Sequence, residues 1–263
     1  MNCPECNEPK KLRNVKGAAW RVTCACPDLS EYKPKTPATI VVLSKHPEIF
    51  EEFRKAADKF APHNPKILVR DGHDIVAPSS ASWKTIQASE DKFVYARNAN
   101  QGIAACTSDV YLVNDDCLFT HPYTLEIMQN ILSQHPEVGV LSPHILGDVG
   151  EYQQGHFEGT LTYTEVRLCY VGVLLRREML DKVGLLDENF IGYGGDDVDH
   201  CRRIVDAGYK LGVTGKAVVK HGFGDNRRSS SYNRQEYGTI EQLDKIAMDY
   251  YNQKWGDRDI VCK

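Results

Sequence analysis

From residue 39 onward the sequence alternates short apolar runs with stretches of helical spacing, and few architectures accommodate that rhythm. "TIVVLS" (39–44) precedes an amphipathic stretch from about Pro47 to Phe60. "KILVRD" (66–71) follows, then "KFVYA" (92–96), a helical stretch at about 99–107, "VYLVND" (110–115) and a helix from about Pro122 to Gln134. Strands that alternate with helices need crossovers, so the pattern predicts an α/β fold: a Rossmann-like, mostly parallel central sheet with helices on both faces. In such sheets ligands collect beyond the carboxyl ends of the strands. Ser44, Asp71, Asn114, Asp115 and Asp116 each follow an apolar run and are therefore expected on that edge. Past residue 140 the pattern turns irregular, with "LCYVGVLLRREML" read as a strand into a helix and "KAVVKHGFG" as a final strand ending at His221.

A chain of 263 residues with 41% hydrophobic content can bury one substantial core and carry a small appendage. The boundary falls in "DLSEYKPKTPAT" (28–39), where Pro34 and Pro37 interrupt regular structure, dividing a module at 1–35 from a main domain at 36–263. In the module, Cys3 and Cys6 form a CxxC and Cys24 and Cys26 a CxC, four thiolates that suit one tetrahedral structural Zn²⁺. It is also locally basic, with seven Lys/Arg against four Asp/Glu over residues 1–35. No apolar run reaches the ~18 residues of a membrane span, and "MNCPECNEPKK" lacks the apolar core of a signal peptide, so a cytoplasmic protein without membrane association is expected. There the nine cysteines are expected as thiols or metal ligands. A net charge of -4 argues against a wholly basic nucleic-acid coat.

The segment "NFIGYGGDDVDHCRRIVDAGYKLG" (189–212) places Asp196, Asp197 and Asp199 at the start of a helix whose apolar stripe is Val198, Cys201, Ile204 and Val205, with Gly208 as its stop. Acids in a first turn complement the helix dipole, which is the plain explanation of all three. Capping does not call for two glycines, however, and Gly194 with Gly195 point to a close approach of backbone to a ligand.

Taken in order, "VYLVNDDCLF" and "YVGVLLRREMLDKVGLLDENFIGYGGDDVDHCRRIVDAGYKLGVTGKAVVKH" resemble the glycosyltransferases of the GT-A fold, in particular the family 2 group, over roughly residues 38–225. The resemblance implies a sugar transferase, hexosyl or pentosyl, that uses a nucleoside diphosphate sugar with Mn²⁺ or Mg²⁺ and inverts the anomeric centre. Asp116 is then the metal carboxylate and His221 completes the metal site, while direct contact by Asn114 or Asp115 stays open. Asp197 becomes the general base, Asp196 an acceptor-binding group, and Asp199 an ordinary helix residue. On the donor side the resemblance gives Asp71 to the uracil of a UDP-sugar and Ser44 to the base-binding loop. Arg97, Asn98, Asn100 and Gly102 go to ribose and phosphate. Arg227, Arg228 and Arg234 suit a lid over the pyrophosphate, with a solvated loop as the alternative.

Two other classes compete. A non-catalytic module could keep the fold and bind nucleic acid or protein through its zinc knuckle, and a nucleotidyltransferase would also carry strand-end acids. Intact Asp116, Asp197 and His221 disfavour the first, and the acceptor-side glycines with Asp197 disfavour the second. The acceptor is not fixed by the sequence; a macromolecule such as hydroxymethylated DNA is one expectation, drawn from the basic N-terminal module.

Overall fold

The computed structural model describes residues 11–13, 21–23, 36–88, 92–147, 149, 153, 161–164, 167–222 and 238–256. Cys3, Cys6, Cys24, Cys26, Arg227, Arg228 and Arg234 lie outside the described residues. Near the N-terminus, β1 (Lys11–Arg13) and β2 (Arg21–Thr23) form an antiparallel two-stranded ribbon with Lys11 opposite Thr23.

The main sheet contains β3 (Thr39–Ser44), β4 (Lys66–Arg70), β5 (Trp83–Gln87), β6 (Val110–Asn114), β7 (Cys117–Phe119), β8 (Val138–Gly147), β9 (Thr162–Thr164), β10 (Gly172–Leu175) and β11 (Lys210–His221). Their order is β5-β4-β3-β6-β10-β8-β11-β7, with β9 also on β11. The helices are α1 (Pro47–Phe60), α2 (Tyr95–Ala104), α3 (Thr124–Gln134), α4 (Arg177–Val183), α5 (Asp196–Asp206) and α6 (Ile240–Trp255).

The sheet is mixed, which corrects the expectation of a mostly parallel one. The pairs β3–β4, β4–β5, β3–β6 and β8–β11 are parallel, whereas β6–β10, β8–β10, β7–β11 and β9–β11 are antiparallel. Helical crossovers separate β3, β4 and β6 as the rhythm predicts, whereas β10 is inserted between β6 and β8 and runs opposite to both, and β11 carries the short antiparallel strands β7 and β9.

Period-2 alternation on β3 divides the core between the two faces. Ile40 and Val42 pack with Phe50 and Phe53 of α1, Tyr111, and Met128 of α3 on one side. Val41 and Leu43 pack with Ala99 and Ile103 of α2, Leu112, Val173, and Cys201 and Ile204 of α5 on the other. Every residue of β3 is buried, as a central strand with both faces covered requires. On α2, Gly102 meets this strand so closely that an added Cβ would sit 2.3 Å from Val41 Cγ1, so this glycine serves helix-to-sheet contact.

Three elements differ from the sequence reading. The run 92–96 is not a strand: Val94 caps α2, and Tyr95 and Ala96 belong to its first turn. The edge strand is β5, whose half-exposed pattern hides it among polar residues. The helix α6 was not anticipated. It starts at a capping box in which Thr239 and Gln242 exchange hydrogen bonds, and it buries Leu243, Ala247 and Tyr251 at intervals of four. Among the described residues no helix is long and apolar enough to cross a membrane. Cys106, Cys117, Cys169 and Cys201 form no disulfide among the described residues.

Candidate active site

The strand ends open onto a cavity of about 810 Å³ bounded by the β3, β4 and β6 termini on one side and by α5 and α6 on the other. Ser44, Asp71, Asn114, Asp115, Asp116, Gly194, Gly195, Asp196, Asp197 and His221, all singled out from the sequence, line it together.

On the first side, the parallel register β4–β3–β6 brings three strand ends level. Ser44 Oγ donates to Asp115 Oδ2 at 2.5 Å, and the Asp71 amide donates to the Ser44 carbonyl at 2.9 Å. Asp115 is thereby tied to the β3 loop. Asn114 lies beside the Tyr95 hydroxyl, which donates to the Tyr170 carbonyl at 3.0 Å and stands 3.5 Å from Asn114 Oδ1. Asp71 Oδ2 is buried with no hydrogen-bond partner among the described residues. A buried carboxylate oxygen left unpaired is costly, and a ligand N–H would satisfy it.

Asp116 follows β6 and His221 ends β11, and the β7–β11 pairing puts them side by side. His221 is opposite Cys117, the Gly222 amide donates to the Asp116 carbonyl at 3.0 Å, and His221 Nε2 lies 3.3 Å from Asp116 Oδ1. Adjacent ligands of an octahedral cation at ~2.1 Å are ~3 Å apart, so this pair fits one edge of a Mn²⁺ or Mg²⁺ shell. Such ions are commonly held by one or two protein groups plus substrate phosphate oxygens. Among the described residues no group of three or more His, Cys, Asp or Glu forms a ready-made metal cage.

The opposite side is built by the glycine turn and α5. Gly194 (φ 78°) and Gly195 (φ 89°) take left-handed conformations. At Gly194 a Cβ would enter open space, so backbone conformation selects glycine there. At Gly195 it would strike the Phe190 ring at 2.8 Å, so packing adds to the requirement. The turn launches α5 with Asp196 and Asp197 facing the cavity. Asp197 Oδ1 accepts from the Val198 amide at 2.8 Å, while Asp196, 7% exposed, keeps Oδ2 unpartnered. Burial, reinforced by the Asp197 charge, pushes the Asp196 carboxyl up to about 7. Burial raises Asp197 as well, against the opposing pull of Arg167. Asp196, Asp197 and Asp116 all act on the buried Tyr95 hydroxyl, which burial chiefly keeps protonated.

The rear of α5 fixes this arrangement. His200 is fully buried and held neutral, its pKa lowered to about 3 by burial. Its Nε2 faces the Gly184 carbonyl at 3.1 Å, which can only accept, so Nδ1 accepts from the Tyr170 hydroxyl at 2.9 Å. Asp199, read from the sequence as ordinary, is a fully buried junction. It accepts from Arg203 at 2.8 Å and Trp255 Nε1 at 2.9 Å and pairs with Lys254 at 2.7 Å.

Arg97, Asn98 and Asn100, expected at ribose and phosphate, do not line the cavity. They lie within α2, which starts earlier than the sequence reading placed it. Asn100 spends its amide on the loop before α5, bonding Leu186 N, Leu186 O and Glu188. Arg97 donates to the Lys92 carbonyl. Conversely, the sequence reading passed over Tyr95, Arg167 and the α6 residues Asp244, Met248 and Tyr251, all on the lining. A signal existed for α6: a T-x-x-Q cap followed by apolar residues at 243, 247 and 251.

No protein-family model matches the sequence, and no curated protein is similar to it at a significant level. Solved structures are similar in fold. A mannosyltransferase from Pyrobaculum calidifontis in complex with GDP-Man and Mn²⁺ superposes with a TM-score of 0.56 at 16% identity, over 82% of this chain and 65% of that one. GalNAc-T7 with UDP, GalNAc and Mn²⁺ gives 0.62 at 12% identity, over 84% and 51%. The chain thus spans about two thirds and one half of these proteins, and what it shares with them is the GT-A glycosyltransferase fold.

Proposed function

We propose that the protein is a metal-dependent, inverting glycosyltransferase of the family 2 type that moves a sugar from a nucleoside diphosphate sugar, a UDP-sugar by the Asp71 reading, to an acceptor hydroxyl. One observation carries this reading: a single cavity joins the strand-end acids to Asp196 and Asp197, and each side keeps a buried carboxylate oxygen without a partner, Asp71 Oδ2 and Asp196 Oδ2. Both mannosyltransferase and GalNAc-T7 were captured with nucleotide or nucleotide sugar and Mn²⁺, which supports the same ligand classes here.

In this mechanism Asp71 accepts the base N–H, and the Ser44 hydroxyl orients Asp115 through their hydrogen bond. Asp116 and His221 hold Mn²⁺ or Mg²⁺, which when bound offsets the charge gathering on the leaving diphosphate. Asp197 takes the proton of the acceptor hydroxyl as its oxygen bonds to the anomeric carbon and the bond from that carbon to the phosphate oxygen breaks, releasing the nucleoside diphosphate. Asp196 accepts a hydrogen bond from the acceptor, Tyr95 stays protonated beside the carboxylates, and Gly194 with Gly195 set the turn that presents them. Arg227 and Arg228 are assigned to a lid on the diphosphate. In the N-terminal module, Cys3, Cys6, Cys24 and Cys26 are assigned one structural Zn²⁺. The register of β1–β2 supports this, because it pairs Lys11, which follows the first cysteine pair in sequence, with Thr23, which precedes the second; elemental analysis without zinc would end the assignment.

Calorimetric titration of UDP-sugars with and without Mn²⁺ tests the donor half. Affinity is expected to require Mn²⁺, and Asp116→Ala and His221→Ala to remove that requirement along with most of the binding. Equal affinity with and without the metal would refute a metal-bridged diphosphate.

A further inference from the structure

We infer that α6 is the acceptor-binding wall of the cavity and is built for an uncharged saccharide, with Asp244 as a specificity-determining residue and Lys254 and Trp255 as positioning residues acting through Asp199. The inference rests on the glycosyl-transfer reading above.

The first ground is hydrogen-bond polarity. Asp196 is 7% exposed and its Oδ2 has no donor among the described residues. In its ionised form such an oxygen needs a ligand that brings hydrogen, and a sugar hydroxyl does so where a phosphate oxygen does not. The second is charge. On the acceptor side of the described lining, Asp196, Asp197 and Asp244 face one fixed cation, Arg167. A phosphate-bearing acceptor would be repelled at short range in a partly desolvated cleft. The third is shape. Tyr193 is 41% exposed at the cavity mouth, and Phe190, Met248 and Tyr251 supply an apolar wall, so a ring with one C–H face and a hydroxyl rim finds both of its surfaces matched.

The same helix is fastened at its other end. Lys254 bridges Asp187 at 2.6 Å and Asp199 at 2.7 Å, Trp255 Nε1 donates to Asp199 at 2.9 Å, and Tyr250 donates to Asp187 at 2.9 Å. Arg202 of α5 stacks 4.4 Å over the Trp255 ring and donates to the Tyr251 hydroxyl. Gly192 completes the seam, since a Cβ there would lie 2.4 Å from the Leu243 carbonyl. The helix that carries Asp196 and Asp197 and the helix that carries Asp244 are therefore held in one register, chiefly by Asp187, Asp199, Arg202, Tyr250, Lys254 and Trp255, which do not line the cavity.

The test uses the full chain with Mn²⁺, each UDP- or GDP-sugar in turn, and three acceptor probes: p-nitrophenyl glycosides of neutral sugars, a Ser/Thr peptide and a DNA duplex with hydroxymethylated bases. Transfer to a neutral glycoside is expected. Asp244→Asn should raise the glycoside KM about tenfold, the effect of losing one charged hydrogen bond. Trp255→Phe, which keeps the ring under Arg202 and loses only the donor to Asp199, should raise glycoside KM severalfold at unchanged donor KM. Lys254→Arg should retain wild-type values, and Lys254→Met should not. Transfer only to peptide or DNA, or a glycoside KM unmoved in both Asp244→Asn and Trp255→Phe, would overturn the inference. Release of diphosphate to water without transfer to any glycoside would overturn it while leaving the donor reading intact, whereas no release from any donor would sink both.

Discussion

Replacing Asp199 by Asn removes one buried charge without changing side-chain size, and the structure sets what that should cost. The carboxylate is fully buried and serves Arg203, Lys254 and Trp255 together. Truncating one partner of a buried ion pair typically costs ~3–5 kcal/mol. Two features reduce this. Lys254 keeps Asp187 at 2.6 Å, and Arg203 keeps the Val183 and Leu185 carbonyls. Both cations are also partly solvated, with side-chain exposures of 27% and 21%. The Asn oxygen still accepts one hydrogen bond, so a loss of ~2–3 kcal/mol remains. Urea denaturation should show it as a lowered midpoint at unchanged slope, and hydrogen exchange should accelerate chiefly over residues 243–255, where α6 loses its anchor. A stability within ~0.5 kcal/mol of wild type, the range of an ordinary surface change, together with unchanged exchange in α6, would refute the junction role.

Asp196, with its carboxyl pushed up to about 7, should give kcat an inflection near neutrality, rising with pH as the second proton leaves the Asp196–Asp197 pair and Asp197 becomes the stronger base. Asp196→Asn should abolish that inflection, and one that persists would assign it elsewhere. The same raised value means that the folded state binds a proton which the unfolded chain has released, so this group's contribution to stability is lost as pH rises from about 4 to 7. Asp196→Asn should accordingly be relatively more stable at pH 8 than at pH 5, measured as the difference in urea midpoint from wild type. Gly102→Ala should destabilise by ~1–3 kcal/mol, because the new methyl overlaps Val41; a neutral result would show that the helix can move off the sheet cheaply.

The parts of the fold visible in the sequence are those where one period dominates. The buried strands β3, β4 and β6 and the amphipathic α1 were legible because an unbroken central run or one clear face is apolar. The edge strand β5 was not, since Trp83 and Ile86 alone mark it, while the more apolar 92–96 went to a helix start that it packs under the sheet. Antiparallel pairing in the second half joins strands distant in sequence, such as β6 with β10 and β7 with β11, which apolar periodicity does not report. At the site, Asp116, His221, Asp196 and Asp197 were visible because motif order placed them at element ends, and the structure gathers them in one cavity. Asn100 and Arg97 lie in α2, which begins earlier than the sequence reading placed it, so the expected loop is helix and neither residue lines the cavity. Asp199 looked like one more first-turn acid because its partners, Lys254 and Trp255, are more than fifty residues away in sequence and join it only when α6 folds back.

The account stands most directly on turnover: release of nucleoside diphosphate from a panel of UDP- and GDP-sugars, with and without Mn²⁺, by the wild-type chain and by Asp197→Asn. The wild type should release diphosphate from at least one donor only when Mn²⁺ is present. Asp197→Asn should bind that donor normally and turn it over ~10²–10⁴-fold more slowly, the contribution of a positioned base. No release from any donor, or equal turnover by the two proteins, would contradict the assignment of this cavity to glycosyl transfer with Asp197 as its base.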